Sequence, residues 1–187
     1  MTTSSDSKED AAAHLTATLL LTFRGQRTLA ERALAQVPDG DFLCLLPGEV
    51  APLAITVKHV GGNLRSRWRE FLSTDGEKAD RHRDGEFELA AGDDRASIEA
   101  LWNAGWDELM NTLEALTPGD WDRTVTIRGE AHSIAEASLR SLAHTSYHVG
   151  QIVQMSRRIA GGTWKGLSIP KGQSEAFRQN PSSYLKP

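Results

Sequence analysis

Apolar residues recur at intervals of three and four along four stretches of the chain, and each stretch predicts a helix. From about Asp6 to Val37, Leu15, Leu19, Phe23, Gln26, Ala30, Ala33 and Val37 fall at helical spacing, and Pro38, Asp39 and Gly40 end the run. The following FLCLL segment is apolar, which predicts a buried thiol for Cys44. Pro52 opens a second helix, where it forfeits no internal hydrogen bond. That helix is predicted to run to about Ser73, with Leu53, Val57, Val60, Leu64, Trp68 and Phe71 as its apolar stripe and Lys58, Arg65 and Arg69 opposite.

His59 lies beside this stripe in a polar seam with Thr56, Asn63, Ser66 and Glu70, a placement that suggests a wet pocket. Gly61 and Gly62 each cost a helix about 1 kcal/mol relative to alanine. A sequence tolerates that where a backbone must approach a neighbouring helix or a ligand. From Thr74 to Asp93 the chain is dense in charge and glycine and has no period. A solvated loop is the expectation, with His82, Asp84 and Glu86 as residues able to close over a pocket.

Asp93 or Asp94 can cap the third helix, which carries Ile98, Leu101, Trp102, Gly105, Leu109, Leu113 and Leu116 and stops before Pro118. Trp102 and Trp106, one turn apart, suit a core or a dimer interface. TVTIRGEAHS alternates branched and polar residues and predicts a small hairpin, with His132 at its end in a turn or capping role. Ser133 and Glu136 have capping-box spacing and start the fourth helix, which ends at Gly161 and Gly162. Residues 163–187 read as an irregular tail packed on the helices.

A chain of 187 residues suits a single domain spanning 1–187. Four helices joined by long crossover loops make an all-α, antiparallel four-helix bundle the expected fold. A net charge of -4 and a pI near 5.9, with the arginines scattered, argue against nucleic acid as a partner. The polar, acidic start MTTSSDSKED does not read as an export signal, no stretch is long and apolar enough to span a membrane, and one cysteine forms no intrachain disulfide. A cytoplasmic protein with a small-molecule or protein partner is expected.

The chemistry centres on the fourth helix, where His144 and His148 stand four residues apart at the margin of an apolar face. Positions i and i+4 share a helix face, so both imidazoles can reach one metal ion. In a bundle His59 can meet this pair. Three neutral imidazoles would leave a coordination position for water or substrate, and bound water would ionise near neutral pH. HTSYH lacks the glutamate of H-E-x-x-H, so the general base of that metalloprotease motif is missing. No nucleophile elbow, phosphate-binding loop or dinucleotide fingerprint is present.

KHVGGNLRSRWREFL, RDGEFE, HTSYHVGQIVQMSR and SIPKGQS together resemble the DinB-like (YfiT-like) four-helix bundle superfamily, specifically bacterial proteins of unassigned function, over about Ala11 to Gln173. The resemblance implies a homodimer and a divalent metal, often nickel or zinc with manganese as a third candidate, held by His59, His144 and His148. Some relatives are thiol-dependent transferases using bacillithiol or mycothiol, one branch isomerises maleylpyruvate with mycothiol, and others are labelled hydrolases. The expected function is therefore that of a metal-binding protein, with a transferase or hydrolase acting on a small electrophile as the catalytic reading. The alternative is a non-catalytic dimeric stress-response bundle acting through protein interactions. Asn63 and Gln151, one turn from His59 and His148, are candidates to orient substrate or to hydrogen-bond the second ring nitrogen of a ligand.

Overall fold

A computed structural model describes residues 4–181. Four long helices dominate: α1 (Ser4–Leu34), then, after the single turn α2 (Asp39–Phe42), α3 (Leu53–Trp68), α4 (Arg95–Ala115) and, beyond a two-stranded sheet, α5 (Ile134–Ala160). The architecture is all-α apart from that sheet, β1 (Thr124–Ile127) paired antiparallel with β2 (Glu130–Ser133), Val125 opposite His132. A last short helix, α6 (Ser174–Gln179), belongs to the tail. No helix among the described residues is long and apolar enough to cross a membrane.

The predicted stripes form the core. Leu19, Phe23, Ala30 and Ala33 of α1 are buried, as are Leu53, Val57, Val60, Leu64 and Trp68 of α3. Phe23 sets its edge against Trp68 and Trp106, at centroid distances of 6.1 and 6.3 Å, the edge-to-face geometry that aromatic quadrupoles favour. Trp102 and Trp106 are core residues packed on each other, so neither offers surface for a dimer contact.

α3 packs most extensively on α4, and its glycines explain how. A Cβ on Gly61 would lie 2.8 Å from the Trp102 nitrogen, and one on Gly105 would lie 2.4 Å from the Gly61 oxygen. Backbone meets backbone at this crossing, and only glycine fits. Gly62 faces elsewhere, toward the side chain of Glu86.

Capping follows local chemistry. Asp94 accepts from the Ser97 N–H and starts α4, while Asp93 instead takes the ammonium of Lys58 at 2.6 Å. The Ser133–Glu136 box starts α5 as its spacing predicts. α3 ends five residues earlier than Ser73, because Glu70 turns to φ 48° and its carbonyl collects the N–H groups of Ser73 and Thr74. Phe71 is folded back by this turn to stack on Trp68.

Two further expectations from the sequence need correction. Cys44 is exposed, since the short helix α2 spends its buried position on Phe42. The segment from Thr74 to Asp93 is only partly the solvated loop expected: most of its residues, His82 and Asp84 among them, are exposed, but Gly76, Lys78 and Glu86 are buried and anchor it to the fold. Ser66 Oγ donates to the Gly76 carbonyl, and Gly76 donates to Thr126. Asp75 caps the hairpin turn by accepting from the N–H groups of Arg128 and Gly129. Both have positive φ, 57° and 79°, the primed turn that two-residue hairpins need. Arginine there costs about 1 kcal/mol or more in backbone strain.

The tail is tied to the end of α1 and the turn after it, with Arg32 donating to the Leu167 carbonyl and Gln36 bonded to both backbone groups of Lys165. The last part of the predicted tail, residues 182–187, lies outside the described residues.

Candidate metal centre

α3 presents His59 and α5 presents His144 and His148, and the three converge. One ligand nitrogen from each lies within 4.8 Å of the others. Ring centroids are 4.5 to 5.2 Å apart. His59 is buried, with 5% of its surface exposed, while the α5 pair is half-buried at the margin of a core face made of Ser138, Ser141, Thr145, Val149 and Ile152.

Hydrogen bonds settle which nitrogens are free. Nδ1 of His59 stands 2.9 Å from Glu86 Oε2. Burial would raise the Glu86 pKa, but hydrogen bonds from Arg81 and His59 outweigh it and hold the group below the usual carboxylate range. A carboxylate only accepts, so His59 Nδ1 carries a proton and Nε2 is the ring nitrogen left to face the cluster. Nδ1 of His148 similarly meets Gln151 Oε1 at 2.7 Å. With the amide oxygen as acceptor, the His148 Nε2 is a lone-pair donor.

His144 completes the set. Its Nε2 lies 3.3 Å from that of His59, and its Nδ1 is buried with no hydrogen-bond partner among the described residues. Burial first, then the neighbouring His148 and His59, push its pKa down to about 4. Burial and His59 also lower His148, against the hydrogen bond to Gln151. Both rings are therefore neutral at neutral pH, the state in which imidazole binds metal.

The donor set fits a divalent ion. A tetrahedral site with metal–nitrogen bonds of about 2.0–2.1 Å holds its donors roughly 3.3 Å apart, which matches the separation of the His59 and His144 Nε2 atoms. Three imidazoles and no thiolate suit zinc or nickel and leave a coordination position open.

Glu86 is the residue that a solvated reading of its loop misses. It is 6% exposed and receives two hydrogen bonds from Arg81, at 2.7 and 2.8 Å. With its oxygens committed, Glu86 orients His59 and is not a free general base. Its lodging required a gap in α3: a Cβ on Gly62 would lie 2.4 Å from Oε1. The adjacent glycines were the available signal. Phe87, the next residue, lays its ring against His59 at 4.6 Å.

Of the other sequence candidates, His82 and Asp84 are exposed and away from the cluster, and His132 is held in the hairpin by the Glu130 carbonyl. Asn63 is buried and lines a cavity of about 210 Å³ with His59 and His144, but no hydrogen bond joins it to a histidine among the described residues. A larger cavity of about 470 Å³ lies on the far side of Glu86 and includes none of the three histidines.

The protein family described as "Protein of unknown function (DUF1572)" matches residues 10–173. No curated protein and no solved structure matches the chain.

Proposed function

For a chain that belongs to a protein family of unknown function, DUF1572, we propose a divalent-metal-binding role in which His59, His144 and His148 hold the ion through Nε2. The observation that carries this reading is the convergence of three ring nitrogens, two of them directed inward by the outer partners Glu86 and Gln151. Hydrogen-bonded acceptors behind metal-bound imidazoles raise their basicity and fix their orientation. Some separations exceed what one ion spans, so loading draws the rings together. His148 can move, since its side chain is hydrogen-bonded to the exposed Gln151.

The likeness to DinB-like bundles supports a catalytic use of the open position. An ion held there supplies a Lewis acid that lowers the pKa of a water or a thiol. The protein's own share is positional. Glu86 and Gln151 hold the rings, Phe87 screens His59 from solvent on one side, and Asn63 stands in the adjoining cavity where it can orient a substrate. On this reading the chain is a metal-dependent enzyme of the thiol-transferase or hydrolase kind, a single bundle domain acting on a small electrophile. Homodimerisation rests on the resemblance alone.

Cobalt substitution tests the proposal. Absorption bands of a four- or five-coordinate cobalt ion should appear at one equivalent and be lost in His148→Ala. Bacillithiol, mycothiol or glutathione should shift those bands if a thiol takes the open position. A spectrum insensitive to all three leaves water as the group to test and removes the thiol-transferase reading.

A further inference from the structure

The cavity beside His59 and His144 is lined by five arginines, Arg67, Arg81, Arg83, Arg128 and Arg140, and by no carboxylate. They come from α3, the loop before α4, the hairpin turn and α5, so they are dispersed in sequence and gather only in the fold. The carboxylates near them are fewer: Asp75 accepts from the backbone of the Arg128 turn and interacts with Arg67 without ion-pairing any of the five. Glu77 is shared among Arg67, Arg81 and Arg128, Glu86 is taken by Arg81, and the exposed Asp84 stands 3.6 Å from Arg83. Arg140 has no carboxylate partner among the described residues and meets instead Nε2 of His132 at 3.3 Å. Arg67 keeps a buried Nη1 with no hydrogen-bond partner among the described residues.

An unpaired buried donor and a surplus of positive charge are both costly in a folded protein. The hairpin adds a third cost, since Arg128 occupies a left-handed position that glycine or asparagine fills more easily. Strain and unsatisfied donors kept together at one cavity mark a place prepared for a ligand. Planar guanidinium forks match the oxygens of carboxylates and phosphates, with which they form paired hydrogen bonds.

We propose that this cavity is an oxyanion subsite and that the substrate of the metal centre carries a carboxylate or phosphate group seated there, with Arg67, Arg128 and Arg140 as its binding residues. The proposal rests on the metal-centre reading for the word substrate, but not for the binding itself. At about 210 Å³ the cavity is smaller than the roughly 300 Å³ at which small-molecule sites begin. It suits the anionic end of a molecule whose reacting end lies at the histidines. Asn63, which lines the same space, bridges the two.

The test is calorimetric titration of the full chain with inorganic phosphate and, separately, with succinate, at low ionic strength, on zinc-loaded and on metal-free protein. Arg140→Gln and Arg128→Gln are the variants, chosen because both side chains are exposed and their loss should spare the fold. At least one probe should bind the wild-type protein in both metal states and bind each variant tenfold or more weakly, with zinc content unchanged. Tighter binding of phosphate would point to phosphorylated substrates, and of succinate to carboxylic acids. Absence of binding by both probes overturns the subsite. So does binding seen only in the zinc-loaded protein and unaltered in the variants, which would make the probe a ligand of the ion. If wild-type protein takes up no zinc, the metal reading fails, and titration of that same metal-free protein still decides the subsite.

Discussion

Glu86 reaches back to α3 to accept a hydrogen bond from Nδ1 of His59 at 2.9 Å, and it does so from a segment whose composition reads as solvated loop. The contact ties the first candidate ligand to the loop before α4. Arg81 backs the same carboxylate through two nitrogens, so a chain of charge-assisted hydrogen bonds runs from a buried guanidinium to the imidazole.

Replacing Glu86 tests that chain in two ways. Glu86→Gln keeps the shape but removes the charge, and metal affinity should fall about 10- to 100-fold, as for other losses of a partner behind a ligand. Competition with a chromogenic chelator measures it. Glu86→Ala also strips Arg81 of its main partner and should destabilise the metal-free fold by roughly 3–5 kcal/mol, read from urea midpoints. Unchanged metal affinity in Glu86→Gln would show that Glu86 serves the fold alone.

The two adjacent glycines should behave differently. Gly61→Ala drives a Cβ into the α4 backbone, which cannot yield, and should cost about 1–3 kcal/mol even after the gain in helix propensity. Gly62→Ala meets the Glu86 carboxylate instead, so its principal effect should be weaker metal binding. Equal losses of stability with equal metal affinity would mean that both glycines only permit helix packing.

Acid should weaken the metal-free protein through His144. Its folded pKa of about 4 lies below the ordinary 6.5, so between those values the unfolded chain binds more protons than the folded one. The stability that the neutral buried ring contributes is present above 6.5 and is lost as the pH falls toward 4. Urea midpoints of chelator-treated protein should therefore decline over that window, and less steeply in His144→Gln. Parallel curves for the two proteins would contradict this.

Much of this fold is readable from the sequence because helix periodicity is local. The stripes of α1, α3 and α4, the Ser133–Glu136 cap and the Arg128–Gly129 turn all follow from residues a few positions apart. So does the placing of His144 and His148 on one face. Glu86 and the five arginines are not readable in this way, because what distinguishes them is burial and grouping across elements far apart in the chain. The end of α3 is not legible because the apolar period continues through Phe71, although the backbone has already left the helix at Arg69 and Glu70. Cys44 misleads for a related reason, since an apolar run has one buried face and Phe42 occupies it.

Metal analysis of untagged protein, purified without chelator, alongside His59→Ala and His148→Ala, tests the metal centre most directly. The account predicts about one divalent ion per chain in the wild-type protein and loss of it in both variants, with helicity retained. Wild-type protein that is metal-free and takes up none of added zinc, nickel or manganese, or variants that keep their full complement, would contradict it.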